Sequence, residues 1–480
     1  MLLQPPSRFS KNVARDLVYG CWCKGRRIAA ASFPPTTQLS IATVLRLAGQ
    51  EVMLLDAQAD RLSMEQTRDA VRNEAPDVLI IPTTTTTFNE DCQTLSEFKT
   101  NLPKLVTMAY GSHVTFRPKD ALAKEGLDFC VMREPEWIIK DFCKALDNGE
   151  DGKRVNGLAF RSGTGIHVNP PYPWIENLDD IPIPDRTPVL NYAYFNPLVR
   201  KMPWTTATTS RGCPGRCIFC TSPFFYGNRL RFNSAERVVD EMEYLKKLGY
   251  NEIFFRDETF TANRQRVMEI CKLIEERGLN MSWISNTRVD TISKEMMTAM
   301  KRAGCHLIKI GVESGSQEVL DKINKGIKLE QTRAVFQWAH EIGMEMHAHT
   351  MLGCIGENKQ TVDATIKLLK EIEPTTVTSG AFTAYPGTPV FSMVEAKHPD
   401  VGDGSQRDLA KIHTEGFFNK TFCDLSDEEV GAAVKKLYKS FYLRPSYIAR
   451  RLAGIRSFAD VRRLMIAGTQ VFSFAMDDGE

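Results

Sequence analysis

Short apolar runs alternate with segments of helical spacing along the first 150 residues of the chain. Leu2-Leu3 leads into prolines, and 51–57 (EVMLLDA), 77–82 (DVLIIP), 105–110 (LVTMAY) and 128–132 (DFCVM) have the length and apolar character of buried strands. Between them, 37–50 has helical spacing and ends on Gly49, and 63–75 opens on a capping-box pair, Ser63 and Gln66. Further helices are expected through Asn89–Phe98, over a short segment after Tyr110, and over 135–146. Strands alternating with helices predict an α/β fold, a doubly wound parallel sheet with ligands at the carboxyl ends of its strands. Those ends carry Gln4-Pro5-Pro6, the run Thr83–Thr87, and Gly111-Ser112-His113. No GxGxxG follows any of them, which disfavours a dinucleotide.

A small strand-rich extension follows over 148–172, with RSGTG as its turn, and then a proline-dense linker whose fixed φ values favour an extended spacer. From 203 to about 390 a second series begins. WTTATTS, EIFFRDE, MSWISN, HLIKIGVE, EMHAHTMLG and TTVTSGAFTAY read as strands; of the five helices between them, four are followed by Gly. Six such units predict a partial barrel, open on one side, with function at the C-terminal ends of its strands. The last ninety residues read as mainly helical. The expected divisions are 1–147, 148–202, 203–390 and 391–480.

Composition narrows the classes. The 480 residues are 42% hydrophobic and 25% charged, ample for sizeable cores and unlike a disordered chain. Sixty-one Lys+Arg against fifty-nine Asp+Glu leave a net charge of +2, so no global field draws the chain to nucleic acid. No run of about 18 apolar residues predicts a spanning helix. The N-terminus is apolar too briefly for a signal peptide, and a cytoplasmic location is the expectation.

Twelve cysteines stand out, and without a secretory signal a disulfide framework is not expected. Most, Cys130 and Cys143 among them, read as small buried hydrophobes. The exception follows the first strand of the second series: Arg211-Gly212-Cys213-Pro214-Gly215-Arg216-Cys217-Ile218-Phe219-Cys220. Structural zinc usually takes paired CxxC knuckles or nearby histidines, whereas an iron–sulfur cluster on three cysteines leaves one iron open for a small molecule. Structural zinc, plain burial and a cluster are the three readings of these residues.

The CxxxCxxC loop resembles the signature of radical S-adenosylmethionine (SAM) enzymes, which have a partial βα barrel. That resemblance implies a [4Fe-4S] cluster on Cys213, Cys217 and Cys220, SAM on the fourth iron, and reductive cleavage to a 5′-deoxyadenosyl radical. It places Phe219 by the adenine and the Asp257-Glu258 pair by the methionine ammonium, a charge-assisted bond. It also pairs Arg288 with the methionine carboxylate and sets Glu313 and Ser314, in Gly311–Ser316, near the ribose and methionine. Gly353-Cys354-Ile355-Gly356-Glu357 departs from the family pattern in having isoleucine for proline. Tyr385-Pro386-Gly387-Thr388-Pro389 matches a late turn of this branch.

The preceding sheet resembles the cobalamin-binding domain of the cobalamin-dependent radical SAM subfamily, and the likeness spans roughly 1–450. Its implied cobalamin contacts are Gln4, Pro5, Thr84, Thr85, Gly111, His113 and Glu134. No histidine has Asp two residues before it, so cobalamin is expected base-off without a histidine ligand; His113 is expected to hydrogen-bond within its own loop.

The resemblance implies methylation of an unactivated carbon of a small-molecule or lipid substrate, with an external electron donor of the flavodoxin or ferredoxin type. The second reading is ring closure or oxidative rearrangement, as in the anaerobic cyclase of chlorophyll synthesis. tRNA methylthiolation is a third, weakened because Cys21 and Cys23 lack a suitable third partner. In the tail, 435–452 interleaves Lys435, Lys436, Lys439, Arg444, Arg450 and Arg451 with Tyr438, Phe441, Tyr442 and Tyr447. It reads as a helix packing its aromatics on the barrel mouth, or else as a contact with a membrane or lipid substrate.

Overall fold

The computed structural model describes residues 1–8, 13–15, 20–21, 31–163, 165–227, 229–405, 418–455 and 458–476. Five expected strands build the first sheet: β1 (Leu2–Gln4), β2 (Leu54–Asp56), β3 (Val78–Pro82), β4 (Val106–Tyr110) and β5 (Phe129–Val131). They are parallel, in the order β2-β1-β3-β4-β5, so the winding reverses between β1 and β3 and a crevice opens at that point. Ser63 and Gln66 form the expected capping box, with bonds of 3.1 and 2.8 Å.

The extension does not stand apart, and the sheet is not wholly parallel. Gly157, at φ +77°, turns the chain so that β6 (Leu158–Ser162) returns antiparallel to β5, and β7 (Gly165–Val168) completes a hairpin at that edge. A Cβ at Gly157 would lie 2.6 Å from the Ile138 side chain, so the turn also requires a close approach to the helix Pro135–Asp147.

The second sheet holds β8 (Trp204–Ala207), β9 (Glu252–Phe255), β10 (Ser282–Thr287), β11 (Cys305–Glu313), β12 (Glu345–Leu352) and β13 (Thr376–Ala381), all parallel and in chain order. Alternation divides its faces. Ile253, Ile308, Ile310, Ala348 and Val377 are buried in a core with the covering helices, while Phe254, Ile284 and Leu307 join Trp204 in a core shared with the first sheet. One apolar core therefore ties the two halves together.

An ion network crosses the same junction. Arg211, two residues before Cys213, meets Glu134 at 3.0 Å and pairs with Glu136; Arg231 meets Glu134 at 2.8 Å. Glu134 and Glu136 stand at the start of the helix after β5, and the two arginines face each other on the ribbon Ser210–Arg211 with Arg231–Phe232.

Ten cysteines are described and none forms a disulfide; Cys92, Cys130, Cys143, Cys271, Cys305, Cys354 and Cys423 are buried. Cys23 and the side chain of Cys21 lie outside the described residues. No helix among the described residues is long and apolar enough to cross a membrane.

The tail is helical as expected, over Asp427–Tyr442, Pro445–Ala453 and Phe458–Met476. Its aromatics pack elsewhere than the mouth. The Tyr442 hydroxyl accepts from Val377 N at 2.8 Å and donates to Val377 O at 2.6 Å. Tyr438 does the same at Ser379, at 3.2 and 3.3 Å, and Tyr447 donates to Thr375 O at 3.2 Å. One helical turn of four residues rises about 6 Å and two strand residues rise about 6.6 Å. Tyrosines four apart on the helix thus match backbone groups two apart on the outer edge of β13.

Candidate active site

The cysteine loop leaves the ribbon at Arg211 and lies over the C-terminal ends of the barrel strands. Cys217 is buried, whereas Cys213 and Cys220 are partly exposed. Cys213 Sγ lies 3.3 Å from Thr259 Oγ1 at the end of β9, and Gly215 N donates to it at 3.4 Å. Cys217 Sγ accepts from Arg288 Nη1 at 3.7 Å. A Cβ at Gly215 would lie 2.6 Å from that nitrogen, so glycine is what lets the guanidinium reach the loop.

Arg288 is held from behind. Asp290 binds it bidentately at 2.9 and 2.8 Å, and its Nη2 donates to Lys325 O at 2.7 Å. Burial works against its charge, but Asp290 and the neighbouring thiols outweigh burial and raise its pKa. Lys325 Nζ meets Glu313 at 2.6 Å, both side chains being nearly inaccessible. Glu313 holds φ +62°, a left-handed conformation that costs a side-chain residue energy and recurs at functional sites. Burial raises the Cys217 thiol pKa, and Lys325 and Arg288 oppose it. The loop therefore has two buried cations beside its thiols. No sequence motif pointed to Lys325, which lies in an ordinary Asn-Lys-Gly turn after the helix Gln317–Lys322.

The remaining barrel candidates divide. Phe219 packs edge-on to Phe382 with centroids 6.1 Å apart. Ser314 is buried and accepts from Ser316 N at 3.2 Å. Asp257 is not open to an ammonium as expected: it is fully buried and accepts from Thr209 N, Thr209 Oγ1 and Ser210 Oγ at 2.6, 2.7 and 2.6 Å. Its work is to fix the start of the cysteine loop against β9. Glu258 points the other way, into a cleft of about 800 Å³ lined also by Thr36, Ser40, Arg211 and Arg256.

At the first sheet, Gln4 and the backbone of Pro5 sit where the winding reverses. Gln4 Oε1 and Gln38 Oε1 are buried without partners among the described residues, and both line a second cleft of about 510 Å³. Both clefts are lined by Thr36, Thr37, Thr208 and Arg256. Thr84 and Thr85 belong to a buried threonine loop braced by Asp91, which accepts from Thr83 at 2.8 Å and Thr87 at 2.6 Å and pairs with Arg15 at 2.8 Å. Arg15 also donates to Pro5 O at 2.9 Å. Gly111 packs on this loop: a Cβ there would lie 2.2 Å from Thr83 O.

His113 is wholly buried, its ring tilted 31° against that of Phe88 with centroids 4.2 Å apart, and 3.3 Å from Thr85 Oγ1. Its partner is thus in the neighbouring threonine loop and not, as expected, within its own, and its other ring nitrogen lies 3.6 Å from Asp403. Glu134 belongs to the ion network and not to the crevice. Burial would raise its pKa, but Arg211 and Arg231 outweigh burial and lower it.

Glu357 in the Gly353–Glu357 loop is a further buried carboxyl. Burial pushes its pKa up to about 7, despite hydrogen bonds from Gly353 N and Cys354 N. The folded chain thus holds this proton more tightly than the unfolded one. Stability is expected to fall by about 2–3 kcal/mol as pH rises from the ordinary carboxylate range toward 7. Glu357→Gln should flatten that slope in urea titrations at about pH 5 and pH 7.5.

Two family models match the chain, the B12 binding domain over residues 29–141 and the radical SAM superfamily over 208–369. An uncharacterised methyltransferase of Pyrococcus horikoshii is 30% identical over 437 residues, covering 88% of this chain and 91% of the relative. An anaerobic magnesium-protoporphyrin IX monomethyl ester cyclase of Rubrivivax gelatinosus is 28% identical over 379 residues, 75% of this chain and 67% of the relative. The solved radical SAM methyltransferase TsrM of Kitasatospora setae, with cobalamin and a [4Fe-4S] cluster, superposes with a TM-score of 0.70 at 17% identity, over 99% of both chains. Sheet, barrel, cysteine loop and relatives agree: the chain belongs to the radical SAM superfamily, in the branch that carries a B12-binding domain before the barrel.

Proposed function

We propose that the chain methylates an unactivated carbon of a small-molecule or lipid-like substrate. The observation that carries this reading is the three-thiol loop with its two buried cations, tied through Arg211 to a B12-type sheet in one continuous core. Among the described residues, no three Cys, His, Asp or Glu side chains converge as a site for a single metal ion. The cysteine spacing, without paired CxxC knuckles or nearby histidines, suits a cluster that takes one thiolate per iron.

In this reading Cys213, Cys217 and Cys220 hold the cluster, and Arg288 and Lys325 offset the negative charge of the thiolates. Glu313, Ser314 and Phe219 lie at the mouth for SAM. Gln4, Gln38, the threonine loop and Gly111 form the cobalamin crevice, where the two orphaned amide oxygens suit the amide-rich rim of a corrin. When bound, cluster and SAM supply a 5′-deoxyadenosyl radical and cobalamin supplies a methyl group. The chain's own part is to fix these groups and exclude water, a proximity role.

Anaerobic turnover with methyl-labelled SAM tests the reading. Label in the product is expected; an unlabelled, ring-closed product would favour the cyclase reading, which the similarity to the Rubrivivax enzyme supports. Gly111→Ala is expected to cost about 2 kcal/mol through the clash and the positive φ, with a matching loss of hydroxocobalamin affinity in absorbance titrations.

A further inference from the structure

The exposed apolar surface of the molecule is concentrated on its last helices. Of the twelve large apolar side chains that stand exposed among the described residues, six are Leu443, Ile448, Leu452, Phe458, Met465 and Phe472, and the others are spread from Leu47 to Met393. A single exposed apolar side chain needs no explanation, whereas a concentration of them marks an interaction surface. The tyrosines of the basic-aromatic stretch do not supply it, because Tyr438, Tyr442 and Tyr447 are hydrogen-bonded to β13.

The helix Pro445–Ala453 has no buried side chain and is fastened by its polar groups. Arg450 binds Glu373 bidentately at 3.0 and 2.8 Å, and Arg451 lies 3.9 Å from Glu345. The charged side is thus turned to the base of the barrel, at the N-terminal ends of β12 and β13. Ile448 and Leu452, one turn apart, are left 44% and 62% exposed. The helix Phe458–Met476 then runs back alongside Asp427–Tyr442, with Phe474 5.2 Å from Tyr438 and Val471 packed against the same core. Phe458, Met465 and Phe472 recur every seven residues on its outward face, 84%, 63% and 54% exposed, with exposed Arg462 and Thr469 between them. A surface helix ordinarily opposes its packed face with polar side chains; this one sets two phenylalanines and a methionine there.

Chemistry selects the occupant. From Leu443 to Met476 the sequence carries six arginines, one aspartate, and neither lysine nor glutamate. Asp477, Asp478 and Glu480 follow, outside the described residues. A second copy docking helix to helix would need apolar side chains at spacings of three and four. It would also bury Arg462, four residues after Phe458 and three before Met465, in the seam. At a bilayer the same arginine lays its stem along the acyl boundary and keeps its head among phosphates. No helix among the described residues is long and apolar enough to cross a membrane, so the contact is interfacial. We propose that this face seats the protein on a membrane surface rich in anionic phospholipid, with Phe458, Met465, Phe472, Ile448 and Leu452 entering the headgroup boundary. The base and outer flank of the barrel make the contact, and the cysteine loop, over the opposite ends of the strands, is left out of it. The surface therefore locates the protein, whichever reaction its site performs.

The test is co-sedimentation of the full-length chain with vesicles of phosphatidylcholine alone and of equal parts phosphatidylcholine and phosphatidylglycerol. Binding to the mixed vesicles is expected, weakened by added salt. Phe458→Ser, Met465→Ser and Phe472→Ser combined should lower partitioning at least about tenfold, and Ile448→Ser with Leu452→Ser by about as much. Arg462→Gln should cost about fivefold on mixed vesicles and leave neutral ones unaffected. These side chains are exposed, so far-ultraviolet dichroism and urea midpoints should match wild type; Arg462→Gln, a single surface change, keeps the test decisive if a multiple variant folds poorly. No binding to the mixed vesicles, equal binding to both kinds, or binding that the Ser variants retain overturns the proposal. A dimer in sedimentation velocity that the same substitutions dissolve, without vesicle binding, also overturns it and gives the face to a second copy. Label transfer from SAM, measured on the same preparation, bears on the methyltransferase reading alone.

Discussion

Replacing any one of Cys213, Cys217 and Cys220 by Ala is expected to reduce iron incorporation severely and take SAM cleavage to background after anaerobic reconstitution. Each thiolate holds a different iron in the proposed arrangement, so a single loss leaves an iron without its anchor. The fold should survive. Cys217 is the only one of the three that is buried, and it is a small side chain, so its truncation costs far less than a large core deletion. Far-ultraviolet dichroism and hydroxocobalamin binding therefore serve as controls. Iron content and 5′-deoxyadenosine yield equal to wild type in all three variants would sink the assignment.

The second large effect is expected at Glu134, which the sequence pointed to as a cobalamin contact and the structure places between two arginines. Truncation to Ala leaves Arg211 and Arg231 short of a partner in a buried junction, and breaking such a network costs about 3–5 kcal/mol. Because Glu134's pKa is lowered on folding, its contribution is present above the ordinary carboxylate value and is lost as pH falls through the lowered one. Urea midpoints at neutral and acid pH check both the size and the sign: the Ala variant should differ greatly from wild type at neutral pH and little in acid. The ribbon that launches the cysteine loop should also lose protection in hydrogen exchange. A variant that loses only cobalamin affinity would restore the original assignment.

The strands were legible because both sheets rely on runs whose length and alternation survive without tertiary information, as β3 and β12 show. The antiparallel return of β6 was not, since local pattern says nothing about the direction in which a strand docks. The cysteine loop was legible through spacing alone. Its surroundings were less so. Asp257 looked like a ligand because it ends a barrel strand, and only three-dimensional neighbours reveal that Thr209 and Ser210 already claim it. Lys325 has no motif at all, because a buried cation is defined by what folds over it.

A partial barrel has an unclosed flank, and a row of tyrosines covers the free edge of β13. Bare strand edges recruit other strands, from a second copy or from an aggregate. Here the phenolic hydroxyls of Tyr438 and Tyr442 take both the N–H and the C=O of Ser379 and Val377, and Tyr447 takes the C=O of Thr375. The helix thereby imitates a seventh strand without offering an edge of its own. Phenylalanine at 438 and 442 would keep the packing while leaving those backbone groups free to template another strand.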